Sequence, residues 1–243
     1  SENEIRELFA DMIVRQETCC WSTREKRVKA IRTEVLGKIP LKSEPWTNPP
    51  AEKISSAILE GIKSLGFNFG PAEEQFIARV KIGGEDYPNM EISHLQETAK
   101  EWLTPFIKNI KTADDWRKFD CLPALRNLLS WKQHRKLDEV VPKYFVSPLG
   151  RKLSIDYLGQ HPSVELRMQE LFGQKSHPMI KKKPLLLTLL SPAGRPLQKT
   201  MDLQNFWKTS YLEIRKEMRG RYPKHSWPER PENEKPTIKV KSK

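Results

Sequence analysis

The hydrophobic period changes twice along this chain, near residues 48 and 145, and a chain that switches period must build more than one kind of layer. Before the first change, Ile5, Leu8, Phe9 and Met12 stand at helical spacing. Two stretches with partial alternation follow, 14–21 (VRQETCCW) and 27–36 (RVKAIRTEVL), in which Val28, Ala30 and Val35 point to strands. Residues 40–50 (PLKSEPWTNPP) hold four of the 19 prolines and read as a linker or crossing segment. A helix followed by two strands closes no sheet by itself, so any earlier strands of a barrel or sheet domain are expected upstream of Ser1.

Between the two changes the pattern is helical. Pro49 and Pro50 precede Ile54, Ala57, Ile58, Ile62 and Leu65, with Gly66 as a stop. Pro71 opens a second helix through Phe76, Ile77 and Val80, and Gly83-Gly84 ends it. Residues 92–110 are broken before Pro105, and residues 113–129 are interrupted at Pro123. Trp102 and Trp116 read as core. Ser130 with Gln133 forms a capping-box pattern for a last helix through Leu137 and Val140.

After residue 145 the texture becomes mixed. Leu153, Ile155 and Tyr157 alternate with Lys152, Ser154 and Asp156, as in a half-buried strand. Residues 163–172 (SVELRMQELF) read as a helix stopped by Gly173. The run Leu185–Leu190, broken only by Thr188, reads as a buried central strand. Pro192 to Arg195 make a turn, and Pro196 to Thr200 continue as a neighbouring strand. Asp202 is placed to cap a helix carrying Leu203, Phe206, Trp207, Tyr211, Ile214 and Met218, with Gly220 at its end. No internal repeat is apparent. The expected fold is α+β: a partial sheet with a linker over 1–48, a helical region over 49–145, a mixed α/β domain over 146–230, and a disordered basic tail over 231–243.

Composition narrows the function. The 21 aromatics (7 Trp, 5 Tyr, 9 Phe) are enough to anchor cores, although 30% of residues are charged. No stretch approaches the roughly 20 apolar residues of a membrane span. No basic-then-apolar leader opens the chain, and three cysteines, two of them adjacent, make no disulfide framework; a cytoplasmic setting is expected. Of the net charge of +12, nine units fall within 175–230, which holds 13 Lys/Arg against 4 Asp/Glu. So concentrated a charge points to a polyanion, nucleic acid first, or else to a solubilising surface.

Catalytic constellations are weak in the sequence. It contains no G-x-x-x-x-G-K-[ST] loop and no G-x-G-x-x-G, no Cys/His spacing for zinc, and five scattered histidines, so no catalytic residue, metal or cofactor is assigned to this chain. The segment 215–228 (RKEMRGRYPKHSWP) interleaves cations with aromatics. Cations bind phosphates and aromatic faces stack on unpaired bases. Equally, Tyr222 and Trp227 can pin the segment to its own domain and leave the cations in water. The candidate nucleic-acid contacts are Arg195 and Lys199 after the leucine run, then Arg215, Lys216, Arg219, Arg221, Tyr222, Lys224, His225 and Trp227. Lys181-Lys182-Lys183 read as a solvated loop.

Three blocks carry a family resemblance: SPLGRKLSIDY (147–157), LLSPAGRPLQKTMDLQNFWKTSY (189–211) and EIRKEMRGRYPKHSWPE (213–229). In this order they resemble the C-terminal region of the bacterial HrpB-type ATP-dependent helicases of the DEAH-box (DExH) group. EWLTPFIKNIKTADDW and LSWKQHRKLDEVVPKYF resemble the helical segment that precedes it there, so the likeness covers roughly residues 5–230. Arg230 stands where that family usually carries an acid. The resemblance implies a parent enzyme whose motor domains, outside this chain, use ATP and Mg²⁺ and move on RNA. It implies that residues 1–48 end an oligonucleotide-binding-fold-like domain. Two roles stay open for the chain itself: binding or guiding single-stranded RNA for the motor, or recruiting the helicase to a protein partner through the C-terminal domain. Neither oligomeric state nor RNA target is legible.

Overall fold

The computed structural model describes residues 2–240, and the chain divides into two compact units. One runs up to Glu73 and resumes over Asn89–Leu128; the other comprises Glu74–Pro88 and the chain from Leu129 onward.

The first unit opens with α1 (Glu2–Leu8) and a 3-10 turn (Ala10–Met12). The antiparallel meander β1 (Ile13–Ser22), β2 (Arg27–Leu36) and β3 (Ile39–Pro45) follows, in spatial order β1-β2-β3. The two alternating stretches pair from Ile13↔Leu36 to Ser22↔Arg27. The expected linker at 40–50 is corrected: its first part is β3, an edge strand, where proline's missing N–H costs no ladder bond. The helix α2 (Ala51–Leu65) lies against β1, and Gly61 makes this possible, because a Cβ there would fall 2.5–2.8 Å from the Trp21 indole. Helix α3 (Pro71–Gly83) begins at its proline and stops before Gly84, as expected. It carries the chain across the boundary between the units.

The segments α4 (Ile92–Glu97), α5 (Ala99–Leu103), α6 (Ala113–Arg117) and α7 (Leu122–Asn127) are short; Pro105 falls in the 3-10 turn that follows α5, and Pro123 in the first turn of α7, where its missing N–H costs nothing. Their core is aromatic: Phe67 stands 5.7 Å from Trp102 and 5.6 Å from Trp116, ring centre to ring centre. Each of these buried indoles donates to a backbone carbonyl, Trp102 to Leu95 and Trp116 to Gly66, both at 3.0 Å.

In the second unit α8 (Trp131–Val140) carries the complete Ser130–Gln133 capping box. Arg79 of α3, 4% exposed, closes the other end by donating to the Val141 carbonyl and to Asp138. Short strands β4 (Tyr144–Val146) and β5 (Lys152–Ser154) make one hairpin. The helix expected over 163–172 is instead β6 (Ser163–Arg167) followed by a 3-10 turn. Val164 and Leu166 are buried at strand period, while Met168, Leu171 and Phe172 are enclosed on every side, so apolar spacing there imitates a helix. After β7 (Met179–Ile180) and β8 (Lys183–Pro184) comes β9 (Leu186–Leu190), the central strand of the leucine run, between parallel β6 and antiparallel β10 (Pro196–Thr200).

The last helix is two. Asp202 caps α9 (Leu203–Lys208), accepting from Asn205 N–H at 3.0 Å, and the chain breaks at Thr209 before α10 (Ser210–Arg221). Gly220 lies inside α10 rather than ending it; its φ is not left-handed and open space surrounds it. The expected tail is corrected as far as residue 240. Pro231 is buried, its carbonyl accepts from Gly173 N–H at 2.9 Å, and Thr237 N–H donates to Gln169. Gly173, at φ +80, lets this segment pass, since a Cβ there would sit 3.0 Å from the Glu234 oxygen. Residues 241–243 lie outside the described residues.

A short repeat, missed in the sequence, also appears. Ser147-Pro148-Leu149-Gly150-Arg151 turns β4 into β5, and Ser191-Pro192-Ala193-Gly194-Arg195 turns β9 into β10. In both, the serine N–H donates to the arginine carbonyl (2.9 and 2.8 Å) and the glycine N–H to the serine carbonyl (2.7 and 2.9 Å), with glycine φ at +78 and +79. This is a three-residue hairpin loop, proline setting the turn and glycine the left-handed position.

Candidate nucleic-acid interface

Helices α9 and α10 turn Phe206, Trp207, Tyr211 and Met218 inward. The segment after α10 folds back along it and is held by three side chains. Tyr211 Oη donates to the Pro228 carbonyl at 2.7 Å, Trp227 Nε1 to the Tyr222 carbonyl at 2.9 Å, and Arg215 Nε to the Trp227 carbonyl at 3.0 Å. Burial pushes the Tyr211 hydroxyl well above its ordinary range, so it remains a donor.

Two of the sequence candidates are engaged within the segment itself. Trp227 is 6% exposed with its indole N–H occupied, so its ring offers no free face to a base. Arg215 directs its guanidinium to the Trp227 carbonyl and to Glu229 at 3.1 Å. Both brace the segment, and neither partner can be read from local sequence, since each bond is made only when the chain turns back.

The other candidates keep their charge outward. Lys216 and Arg219 are exposed and three residues apart on α10, hence on one face. Arg221 is exposed and lies 3.7 Å from Glu217, a solvent-screened pair of little energetic weight. Lys224 is exposed. Tyr222 is half-buried, edge-on to His225 with ring centres 6.1 Å apart. Burial and then the Arg167 charge hold His225 below its ordinary pKa. Arg195 is exposed at the tip of the second hairpin, and Lys199 is exposed on β10 opposite Thr188.

The register of the β10-β9-β6 sheet gathers some of these. Arg167, the last residue of β6, pairs with Leu190 on one side, and Pro196 pairs with Leu190 on the other. Arg167 and Arg195 therefore stand at the same end of the sheet, in adjacent rows, Arg195 being paired with Ser191. Arg167 escaped sequence reading because its strand looked helical. The lysine run is not wholly solvated either: Lys181, at φ +53, donates Nζ to the carbonyls of Ile82 (3.2 Å) and Gly83, capping α3.

In the first unit the sheet carries a cleft of about 470 Å³ lined by Arg27, Lys29, Trp46, Pro49, Ile54 and Lys111. Arg32 and Lys53 lie over the Trp46 ring at 5.5 and 5.1 Å. Among the described residues no three or more His, Cys, Asp or Glu side chains come together, and no helix is long and apolar enough to cross a membrane.

This fold is that of the C-terminal part of a helicase. The crystal structure of the E. coli DExH-box NTPase HrpB matches with a TM-score of 0.76 and 33% identity, over 97% of this chain and 31% of that one. That of the Escherichia coli DEAH/RHA helicase HrpB matches with a TM-score of 0.67 and 32% identity, over 89% and 29%. In sequence, the ATP-dependent RNA helicase HrpB of Escherichia coli (strain K12) is 34% identical over 250 residues, 98% of this chain and 31% of that protein. Residues 102–231 match the HrpB_C family, described as ATP-dependent helicase C-terminal, and the chain belongs to it. It spans about a third of the length of these relatives.

Proposed function

We propose that this chain is the accessory C-terminal region of an ATP-dependent RNA helicase and binds or guides single-stranded RNA for an NTP-hydrolysing motor carried elsewhere in the protein. The observation that supports it is the row of outward cations Lys216, Arg219, Arg221 and Lys224 on a braced mount. A mount already ordered loses little entropy when a strand settles on it. Tyr222, half-buried beside them, offers a ring edge and a hydroxyl. ATP and Mg²⁺ belong, on this reading, to the motor: the chain has no phosphate loop to cradle them. The meander β1–β3 is read as part of an oligonucleotide-binding-fold-like domain, and the protein as cytoplasmic.

Charge reversal of Arg219, Arg221 and Lys224 together tests the reading. Affinity for single-stranded RNA should fall strongly and alike for all sequences, and the dependence on salt should flatten. A second reading, a docking surface for a protein partner, has one observation in its favour: Leu212, 48% exposed, borders a cavity of about 630 Å³ that Trp207 also lines. RNA affinity unchanged by the triple reversal, together with salt-insensitive capture of a protein, would select it.

A further inference from the structure

Five of the seven tryptophans are buried and Trp21 is half-buried against Gly61, whereas Trp131, the first residue of α8, is 71% exposed. Large aromatic side chains stabilise a fold by being buried, so an indole left in water has little folding reason to be there. Nor does α8 depend on it. The helix is fixed by the Ser130–Gln133 capping box and by buried Leu137. Two further bonds reach the turn after α3: Gln133 Nε2 donates to the Asp86 carbonyl at 2.8 Å, and Lys136 Nζ to the Asp86 carboxylate at 2.6 Å. A rigid helix thus presents Trp131 to solvent. Arg135, one turn further on, sets its guanidinium carbon over the ring, 5.3 Å from the centre.

The surroundings of the indole are charged. Trp131, Lys132, Arg135, Lys136 and Glu139 line a groove of about 300 Å³. The centre of a protein interface is depleted of charge, which argues against a protein as its occupant. A base flanked by its own phosphates fits an aromatic ring set among cations. Asp86 offsets Lys136, and Glu139 lies 3.6 Å from Arg135 in a solvent-screened pair, while Lys132 has no partner among the described residues. More cations are fastened to the same turn. Lys181 donates to the carbonyls of Ile82 and Gly83, and Gly83 stands three residues before Asp86. This holds the tip of the β7–β8 hairpin there. Lys182 and Lys183, exposed and without partners among the described residues, line a cavity of about 880 Å³ with Lys81 and Lys181.

We propose that Trp131 is a stacking platform for one unpaired base of single-stranded RNA, with Lys132 and Arg135 beside the adjoining phosphates and the lysine hairpin next along the strand. This deepens the proposed function and rests on it. It adds a site on elements other than α10. Stacking tolerates any base, because every base has a π-face, so the platform holds the strand without reading its sequence.

The test uses the whole chain with a fluorescent oligoadenylate and an abasic oligoribonucleotide of the same length, across a potassium chloride series. Trp131→Ala should weaken oligoadenylate binding roughly tenfold and leave the abasic strand unaffected. Its log–log salt slope should not change, because no charge is removed. Trp131→Phe should recover most of the affinity. Lys132→Gln, and separately Lys182→Gln with Lys183→Gln, should weaken both strands and flatten the slope by about 0.7 per lysine. Circular dichroism confirms the fold of each variant. Loss on oligoadenylate but not on the abasic strand upholds the platform. Equal loss on both strands would mean that the indole only supports the fold, and the platform is then wrong. If Trp131→Ala binds like the parent while reversal of Arg219, Arg221 and Lys224 abolishes binding, the platform is wrong and the RNA-guiding role stands. If the unaltered chain binds neither strand at low salt, both fall.

Discussion

The hairpins Ser147–Arg151 and Ser191–Arg195 have one local design and two outcomes. Proline, glycine and the two backbone bonds recur within 0.2 Å, yet one arginine is tied to a buried glutamate and the other is left in water. The serines differ in the same way. Ser191 Oγ accepts from Arg195 N–H, whereas Ser147 Oγ is buried with no hydrogen-bond partner, as is Glu170 Oε2. A turn is set by four or five residues; what its side chains do is set by whatever the rest of the chain brings beside them. Glu170 comes from the 3-10 turn after β6, 19 residues beyond Arg151. Among the described residues no corresponding acid reaches Arg195.

Removing the arginines should separate the hairpins most. Arg151→Met leaves the Glu170 carboxylate buried without a countercharge and should cost about 3 kcal/mol in urea unfolding, the low end for a broken buried pair because Arg151 itself is half exposed. Arg151→Met with Glu170→Leu should recover most of it. Arg195→Met should stay within about 0.5 kcal/mol of the parent. Equal losses at the two positions would show that Arg195 has a folding role and would weaken its case as a ligand contact.

Next come the glycines, where the hairpins should behave alike. Gly150→Ala and Gly194→Ala each force a side chain into the left-handed region, for about 1–2 kcal/mol. In both cases the new Cβ meets nothing within 4 Å, so only the backbone term remains and the two losses should agree. A gap above about 1 kcal/mol would mean the turns are not the same device.

The serines should differ by less. Ser191→Ala removes the acceptor of Arg195 N–H and should cost about 1 kcal/mol, while Ser147→Ala removes a buried hydroxyl with no partner and should be neutral or slightly stabilising. Thermal unfolding of the pair, side by side, decides it.

The smallest effect is on pH. His177 donates from Nε2 to the Leu185 carbonyl at 2.8 Å and accepts at Nδ1 from Leu203 N–H at 3.2 Å, which fixes it as the neutral imidazole. Burial holds both His177 and His225 below the ordinary 6.5. Their folded-state pKa values are depressed, so in the window below 6.5 the unfolded chain binds more protons, and stability falls as pH drops through it. His225→Gln should remove part of that slope after α10, and His177→Gln part of it near α9. Identical slopes in parent and both variants between pH 7.5 and 5 would contradict this.

Much of the fold was legible where a short-range rule applies. The Ser130–Gln133 capping box, the Asp202 cap, the Pro71 start and Gly84 stop of α3, and the leucine run as a central strand all stand as expected. Reading failed where distant chain decides. Residues 163–167 became a strand because β9 lies beside them, and β3 took in two prolines because it is an edge. The site divides the same way. Exposed Lys216, Arg219, Arg221 and Lys224 were visible as charge, and bracing was one of two readings for Trp227, whereas the bracing role of Arg215 and the position of Arg167 were not visible.

By itself, then, the sequence determined the alternation of sheet and helix, the caps and turns, the basic C-terminal region and the family of the chain, because each is written in periodicity, in the few residues around a turn, or in an ordered motif. Only the tertiary structure decided which cation has a partner. Arg151 and Arg195 occupy the same place in the same phrase, and a guanidinium's role depends on whether a carboxylate or a carbonyl lies within about 3 Å of it. That distance is set by residues far along the chain, which no window of neighbouring letters contains.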